Sequence, residues 1–211
     1  MDKIVCVGKN YSEHAQELGE QMPAKPVLFL KPPSVLRAAV QDETNLELYI
    51  PPDSGTLHYE TEIVLRLEKG GYRLDVKEAE KIIGAVTVGL DMTLRDKQKI
   101  LKEAGHPWTT SKVFPDAAVV GPWLRISEFQ DYLNQKFTFT LDGEMKQQEF
   151  AKNMFFSPAE CVSYISSFMA LMPGDIIFTG TPKGVGPVKS GQKGTLSWGP
   201  IRYSVEWKTR N

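Results

Sequence analysis

The sequence predicts a mainly β domain with a few covering helices, an α+β fold in which strands and helices do not alternate. Three observations carry that reading. Leu57, Tyr59, Thr61, Ile63 and Leu65 interleave with His58, Glu60, Glu62, Val64 and Arg66, the period-2 signature of a strand. From Val113 onward short strand candidates alternate with turns, and the 17 glycines and 14 prolines are densest in the last quarter. Helical signals are confined to four stretches.

Taken in order, Ile4 to Val7 reads as a short buried strand ended by Gly8. Asn10 to Leu18 is a short polar helix, capped by Asn10 or Ser12 and stopped by Gly19. Val27 to Leu30 is a second buried strand, closed by Lys31-Pro32-Pro33. Asp75 to Lys81 is helical with Asp75 as its cap, and Ile82 to Met92 is β-rich. Thr93 to Ala104 is the strongest helix, ended by Gly105. Phe137 to Leu141 leads into Asp142-Gly143, a type I′ hairpin signal. Ser157 to Met172 is an amphipathic helix opened by a cap, a proline at its first position and Glu160 at its third. With 211 residues, no repeat and no linker, the chain reads as one domain over residues 1–211.

Composition excludes several function classes. Lys plus Arg is 25 against 26 for Asp plus Glu, a net charge of -1, so nothing argues for nucleic acid or an anionic membrane as partner. Cys6 and Cys161 are too few for a disulfide scaffold or a cysteine-built zinc site. Neither a signal peptide nor an apolar run of the ~20 residues that span a bilayer is evident, so the expectation is a soluble cytoplasmic protein.

Five features could carry chemistry. Glu60 and Glu62 share one face of a strand, about 6.5 to 7 Å apart, as a solvated edge or as paired ligands. Asp91 ends a buried strand just before a helix, as a helix cap or as a third acid beside that pair. Three converging carboxylates require a hard cation, and oxygen ligands suit Mg²⁺ or Mn²⁺. His14 and Glu17, three apart on the short helix, form either a surface pair or a base held in one tautomer by a carboxylate. Lys112, at the start of an apolar strand, is an edge charge or a cation aimed into a pocket. The Thr179 to Pro187 turn lacks the features of a Walker loop or dinucleotide fingerprint, leaving a structural turn or a substrate-facing one.

Together these elements resemble the fumarylacetoacetate hydrolase family across nearly the whole chain. The matching motifs are Gly-x-Asn-Tyr-x-x-His (8–14), Pro-Val-Leu-Phe-Leu-Lys-Pro (26–32), His-x-Glu-x-Glu (58–62), Asp-x-Thr-x-Arg-Asp-x-Gln (91–98) and the glycine-rich 174–187 run. The resemblance is greatest to the compact acylpyruvate hydrolase and oxaloacetate decarboxylase branch. It implies a mixed β-sandwich roll, usually dimeric, with Mg²⁺ or Mn²⁺ on Glu60, Glu62 and Asp91. It further implies a His14–Glu17 dyad on a lid, Lys112 against the developing enolate, and Arg95, Gln98, Thr181 and Lys31 as substrate contacts. Lys152 and Asn153 stand where relatives often carry a small hydroxyl or an acid.

The expected activity is metal-dependent hydrolysis of a carbon–carbon bond in small 2-oxo acids, such as fumarylpyruvate or acetylpyruvate, giving pyruvate and a carboxylic acid. Oxaloacetate decarboxylation or 2-hydroxyhepta-2,4-diene-1,7-dioate isomerisation is the alternative, and a non-catalytic metal-binding module is the alternative of another class.

Overall fold

The computed structural model describes residues 1–12, 22–39 and 45–209. Among them lie β1 (Ile4–Gly8), β2 (Val27–Lys31), β3 (Leu36–Ala38), β4 (Asn45–Ile50) and β5 (Leu57–Tyr59). There follow β6 (Thr61–Leu67), α1 (Val76–Ile82), β7 (Ile83–Asp91), β8 (Thr93–Leu94), α2 (Arg95–Glu103) and α3 (Thr109–Lys112). The chain continues through β9 (Ala118–Val120), β10 (Leu124–Arg125), β11 (Lys136–Leu141), β12 (Glu144–Phe150) and α4 (Pro158–Ser166). It closes with β13 (Ile176–Phe178), β14 (Gly186–Pro187), β15 (Lys193–Trp198) and β16 (Ile201–Thr209). None of the helices among the described residues is long and apolar enough to cross a membrane.

The strands form three sheets. The largest runs β2-β1-β13-β6-β7-β9-β3 with β10 beside β7, a second runs β12-β11-β15-β16-β4, and a small one joins β14, β5 and β8. Parallel pairs (β1 with β13, β3 with β9, β4 with β16) sit among antiparallel ones, so the architecture is a mixed β roll. The second sheet is sided: Ile201, Tyr203, Val205 and Trp207 of β16 are buried and alternate with more exposed residues. That inner face packs on the large sheet, where Tyr203 Oη donates to the Val88 carbonyl at 3.0 Å.

Local signals explain most elements. Asp75 and Ser157 each cap their helices through complete capping boxes with Glu78 and Glu160. Asp142 and Gly143 both take positive φ (50° and 84°), as a type I′ turn requires. Several expectations are corrected. Residues 57–67 are two strands, because the chain breaks at Glu60, and β6 is buried on both faces apart from Arg66. β2 is an edge strand and only half-buried. The expected helix at Thr93 starts at Arg95, since Thr93 and Leu94 pair with β5. α4 ends at Ser166, well short of Met172.

The N-terminal strand is tied down by Asp175. Its buried carboxylate accepts from the backbone N–H of Asp2 (2.9 Å), Lys3 (3.1 Å) and Met172 (2.9 Å) and from Lys3 Nζ (2.8 Å). Burial alone would raise its pKa, but the Lys3 pair and these N–H groups outweigh burial and hold it below the usual carboxylate range. A depressed folded pKa means stability that is present above about pH 4 and lost as pH falls through the folded value. Asp175→Ala is expected to cost about 3 kcal/mol at neutral pH. Urea midpoints of the variant and the parent should therefore draw together as pH falls below about 4; midpoints that stay equally far apart in acid and at neutral pH would contradict this.

Candidate active site

The site is built where β6 meets β7. Their antiparallel register sets Thr61 opposite Leu90 and Glu62 opposite Gly89, which leaves Glu60 beside Asp91. The Asp91 N–H donates to the Glu60 carbonyl at 2.8 Å and closes that corner. Glu60, Glu62 and Asp91 are each at least nine-tenths buried, and one carboxylate oxygen from each lies within 4.8 Å of the others. Among the described residues this is the one such cluster. Asp91 caps no helix: Leu94 holds the cap position of α2 and makes no side-chain cap bond.

Three cations pair with two of the acids, Glu60 and Asp91. Lys112 Nζ bridges Glu60 Oε2 (2.7 Å) and Asp91 Oδ2 (2.6 Å). Lys31 Nζ lies 2.5 Å from Asp91 Oδ1 and donates to the Met92 carbonyl at 3.2 Å and to that of Ala117. Arg95 pairs with Glu60 Oε1, donates to Gln98 Oε1 at 2.6 Å, and reaches His58 Nδ1 at 3.4 Å. Burial would lower the Lys112 pKa, but the Asp91 and Glu60 charges outweigh it and hold the ammonium well above its ordinary value. Burial foremost, then the Arg95 charge, depresses His58 to about 4, so it is neutral at physiological pH.

Among the described residues no cation pairs with Glu62, which accepts the Gly180 N–H at 2.7 Å. Burial, then the Asp91 and Glu60 charges, push its pKa well above the ordinary carboxylate value. Gly180 has φ +98°, and a Cβ there would come 2.7 Å from the Asn10 Cβ, so only glycine fits this approach. Asn10 is fully buried; its Nδ2 donates to the Thr179 (2.8 Å) and Phe156 (2.9 Å) carbonyls, and its Oδ1 accepts the Phe156 N–H (2.7 Å). Asn10 is thereby fixed against the Thr179–Gly180 turn beside the cradle.

The acids, Arg95, Gln98, Lys112 and Thr181 line one cavity of about 50 Å³. Lys31 does not line it and stands behind Asp91, with its head buried against backbone carbonyls. His14 and Glu17 lie outside the described residues. Lys112 is the last residue of α3, whereas the sequence suggested a strand start. A larger groove of about 800 Å³ follows the outer edge of β2 and shares only Phe29 and Trp108 with the site.

Sequence reading missed two parts of the site. Phe29 and Trp108 form an aromatic wall, centroids 5.8 Å apart, and Lys112 Nζ sits 4.8 Å from the Phe29 centroid. Gln147, in β12, is 1 % exposed, and its amide joins Thr61 to the turn at Thr181. Only the sheet packing reveals it, because Glu144-Met145-Lys146-Gln147-Gln148 reads as a polar strand face.

The donor set fits a hard divalent cation. It consists of three buried carboxylates, one oxygen of each lying within 4.8 Å of the others. With the acids ionised, Lys31, Lys112 and Arg95 match them in number and Lys9 and Lys102 also line the cavity, so an added divalent ion leaves a positive site that an anionic ligand neutralises.

Residues 3–201 match the family described as Fumarylacetoacetate (FAA) hydrolase C-terminal. The chain is 40% identical to a mitochondrial oxaloacetate decarboxylase of Dictyostelium discoideum over 190 residues, 90% of this chain and 85% of that protein. It is 39% identical to a mitochondrial oxaloacetate tautomerase of Arabidopsis thaliana over 211 residues, 99% and 92% of the two chains. Its fold overlays the crystal structure of fumarylpyruvate hydrolase from Pseudomonas aeruginosa in complex with Mn²⁺ and pyruvate at a TM-score of 0.92, with 36% identity, covering 100% of this chain and 91% of that one. A buried triple-carboxylate corner on a mixed β roll, matched in sequence along 3–201, thus has one family that accounts for it: this chain belongs to the fumarylacetoacetate hydrolase family.

Proposed function

We propose that residues 1–211 act as one catalytic domain, a divalent-metal-dependent enzyme that acts on short 2-oxo dicarboxylic acids by stabilising their enolates. The observation that carries this reading is the convergence of Glu60, Glu62 and Asp91 with the Lys112 ammonium between two of them. Glu60, Glu62 and Asp91 hold Mg²⁺ or Mn²⁺, whose Lewis acidity favours negative charge on a keto oxygen. Lys112 turns from its carboxylates to donate to that oxygen as charge develops there. Arg95, held by Gln98, and Thr181 orient the ligand's carboxylate oxygens across the cavity. A doubly charged ligand suits a site made positive by its ion, and oxaloacetate is the smallest 2-oxo dicarboxylate that can also form an enolate. The relatives named as oxaloacetate decarboxylase and tautomerase, at 40% and 39% identity, support the same substrate.

A second reading is hydrolysis of an acylpyruvate such as fumarylpyruvate, supported by the likeness to fumarylpyruvate hydrolase. It requires a base to activate water, the role assigned to His14 with Glu17 orienting its ring. The test is one assay set. Enol-to-keto conversion of oxaloacetate, CO₂ release and pyruvate release from fumarylpyruvate are followed with Mg²⁺, with Mn²⁺ and after exhaustive chelation. Metal-dependent turnover of oxaloacetate alone selects the first reading, and turnover of fumarylpyruvate lost in His14→Ala selects the second. Activity that survives chelation contradicts both. A cytoplasmic homodimer belongs to the same reading, and light scattering on the purified protein checks its oligomeric state.

A further inference from the structure

The Gln147 side chain belongs to the second sheet, yet its amide is spent entirely on the site. Its Oε1 accepts the N–H of Thr61, the residue between Glu60 and Glu62, at 2.9 Å. Its Nε2 donates to Thr181 Oγ1 (2.9 Å), the Pro182 carbonyl (2.9 Å) and the Lys183 carbonyl (3.3 Å). Two of these partners settle which way the amide points. A backbone N–H can only donate and a backbone carbonyl can only accept, so the oxygen must face Thr61 and the nitrogen must face Pro182. The two N–H of Nε2 are shared among these three oxygens, and an amide nitrogen cannot accept, so Thr181 Oγ1 can only accept from Gln147 and cannot donate its own proton in that direction.

A threonine hydroxyl has one proton, and its orientation decides which ligand atoms it can recognise. The acceptor recorded for that proton is the Pro182 carbonyl at 3.5 Å, too long for a good O–H···O bond and already engaged by Gln147 Nε2. The other direction open to it is the cavity that Thr181 lines with the three acids, Arg95 and Lys112. We infer that Gln147 is a positioning residue that sets the polarity of Thr181, committing its hydroxyl to donate into the cavity so that the site selects a ligand oxygen that accepts. This rests on the reading of the ligand as a 2-oxo acid, whose carboxylate and keto oxygens are acceptors only. Gln147 is buried, so no bulk water replaces it when it is removed, and the hydroxyl is then free to rotate.

The experiment is a double-mutant cycle on the metal-loaded protein, with pyruvate as the calorimetric probe at saturating Mn²⁺. Gln147→Met and Thr181→Val should each weaken pyruvate binding by about ten-fold or more, the worth of one hydrogen bond to a charged acceptor. The double variant should be no weaker than Thr181→Val alone, because Gln147 acts through Thr181. Losses that add in the double variant, or wild-type affinity in Gln147→Met, would overturn the inference. Gln147→Glu keeps an acceptor toward Thr61 and adds a second readout. Its pyruvate affinity should fall as pH rises and Glu at 147 ionises, drawing the Thr181 proton back, whereas the parent's stays flat; a flat Gln147→Glu profile would also overturn it. A parent protein that binds Mn²⁺ but no pyruvate would remove the 2-oxo acid reading itself, a failure visible before any variant is compared.

Discussion

Lys112→Met should bind Mn²⁺ more tightly than the parent protein while losing turnover by about 10²-fold or more. The two effects have one origin. In the structure the Lys112 ammonium holds Glu60 Oε2 and Asp91 Oδ2 at 2.7 and 2.6 Å, two of the carboxylates that a metal would use. An incoming ion must take those oxygens from it, so removing the ammonium removes a competitor. The displaced ammonium is then the donor facing the ligand's keto oxygen, and methionine cannot supply that charge. Without metal, the same variant should be destabilised by about 2 kcal/mol, since it removes one charged partner from each of Glu60 and Asp91 and leaves them to Arg95 and Lys31. Added Mn²⁺ should recover most of that loss, because an ion that binds only the folded state stabilises it. Thermal unfolding with and without Mn²⁺, beside calorimetric Mn²⁺ titration, reads all of this. Weaker Mn²⁺ binding in Lys112→Met would show that the lysine supports the ion rather than standing in for it.

Glu62→Gln should separate stability from metal binding in the opposite sense. Among the described residues Glu62 is the acid of the three with no cation paired to it, and burial together with Asp91 and Glu60 disfavours its charge. An uncharged glutamine of the same shape still accepts the Gly180 N–H, so the metal-free variant should be as stable as the parent or more so. Its Mn²⁺ affinity should nonetheless fall by about 10²-fold or more, because a charged oxygen ligand is gone. The sign with pH follows. Metal binds the ionised form, so the parent's affinity rises with pH through the raised Glu62 pKa and levels above it, and a proton is released on uptake. Titrations in buffers of different ionisation enthalpy measure that proton, and Glu62→Gln should not release it. A variant that unfolds more easily yet keeps its Mn²⁺ affinity would recast Glu62 as a structural acid.

The sequence carried the strands, the helix caps and the Asp142-Gly143 turn, because those signals are local. Its misreadings came from tertiary pairing. Thr93 and Leu94 were drawn into a strand by β5, and Glu60 broke the 57–67 run where its carbonyl turns to meet Asp91. The metal-ligand set was visible only as two separate hints, Glu-x-Glu and a strand-end Asp, until the family motifs joined them. What unites them physically is the β6–β7 register, a contact between residues 29 to 31 positions apart that no periodicity encodes. Gln147 gave no sequence signal because a glutamine on a polar-looking strand is ordinary until a second sheet buries it. Lys31 shows the converse case. The motif suggested a substrate contact, and the structure sets its ammonium against Asp91 and two carbonyls behind the cavity.

The claim on which the rest depends is that Glu60, Glu62 and Asp91 together hold one divalent ion. Crystals of the protein grown or soaked with MnCl₂, measured near the manganese edge, test it directly. The account predicts a single anomalous peak per chain within bonding distance of all three carboxylates, with Lys112 Nζ withdrawn from Glu60 and Asp91. A map with no peak at that corner, or manganese bound elsewhere while Lys112 still bridges the two acids, would contradict it.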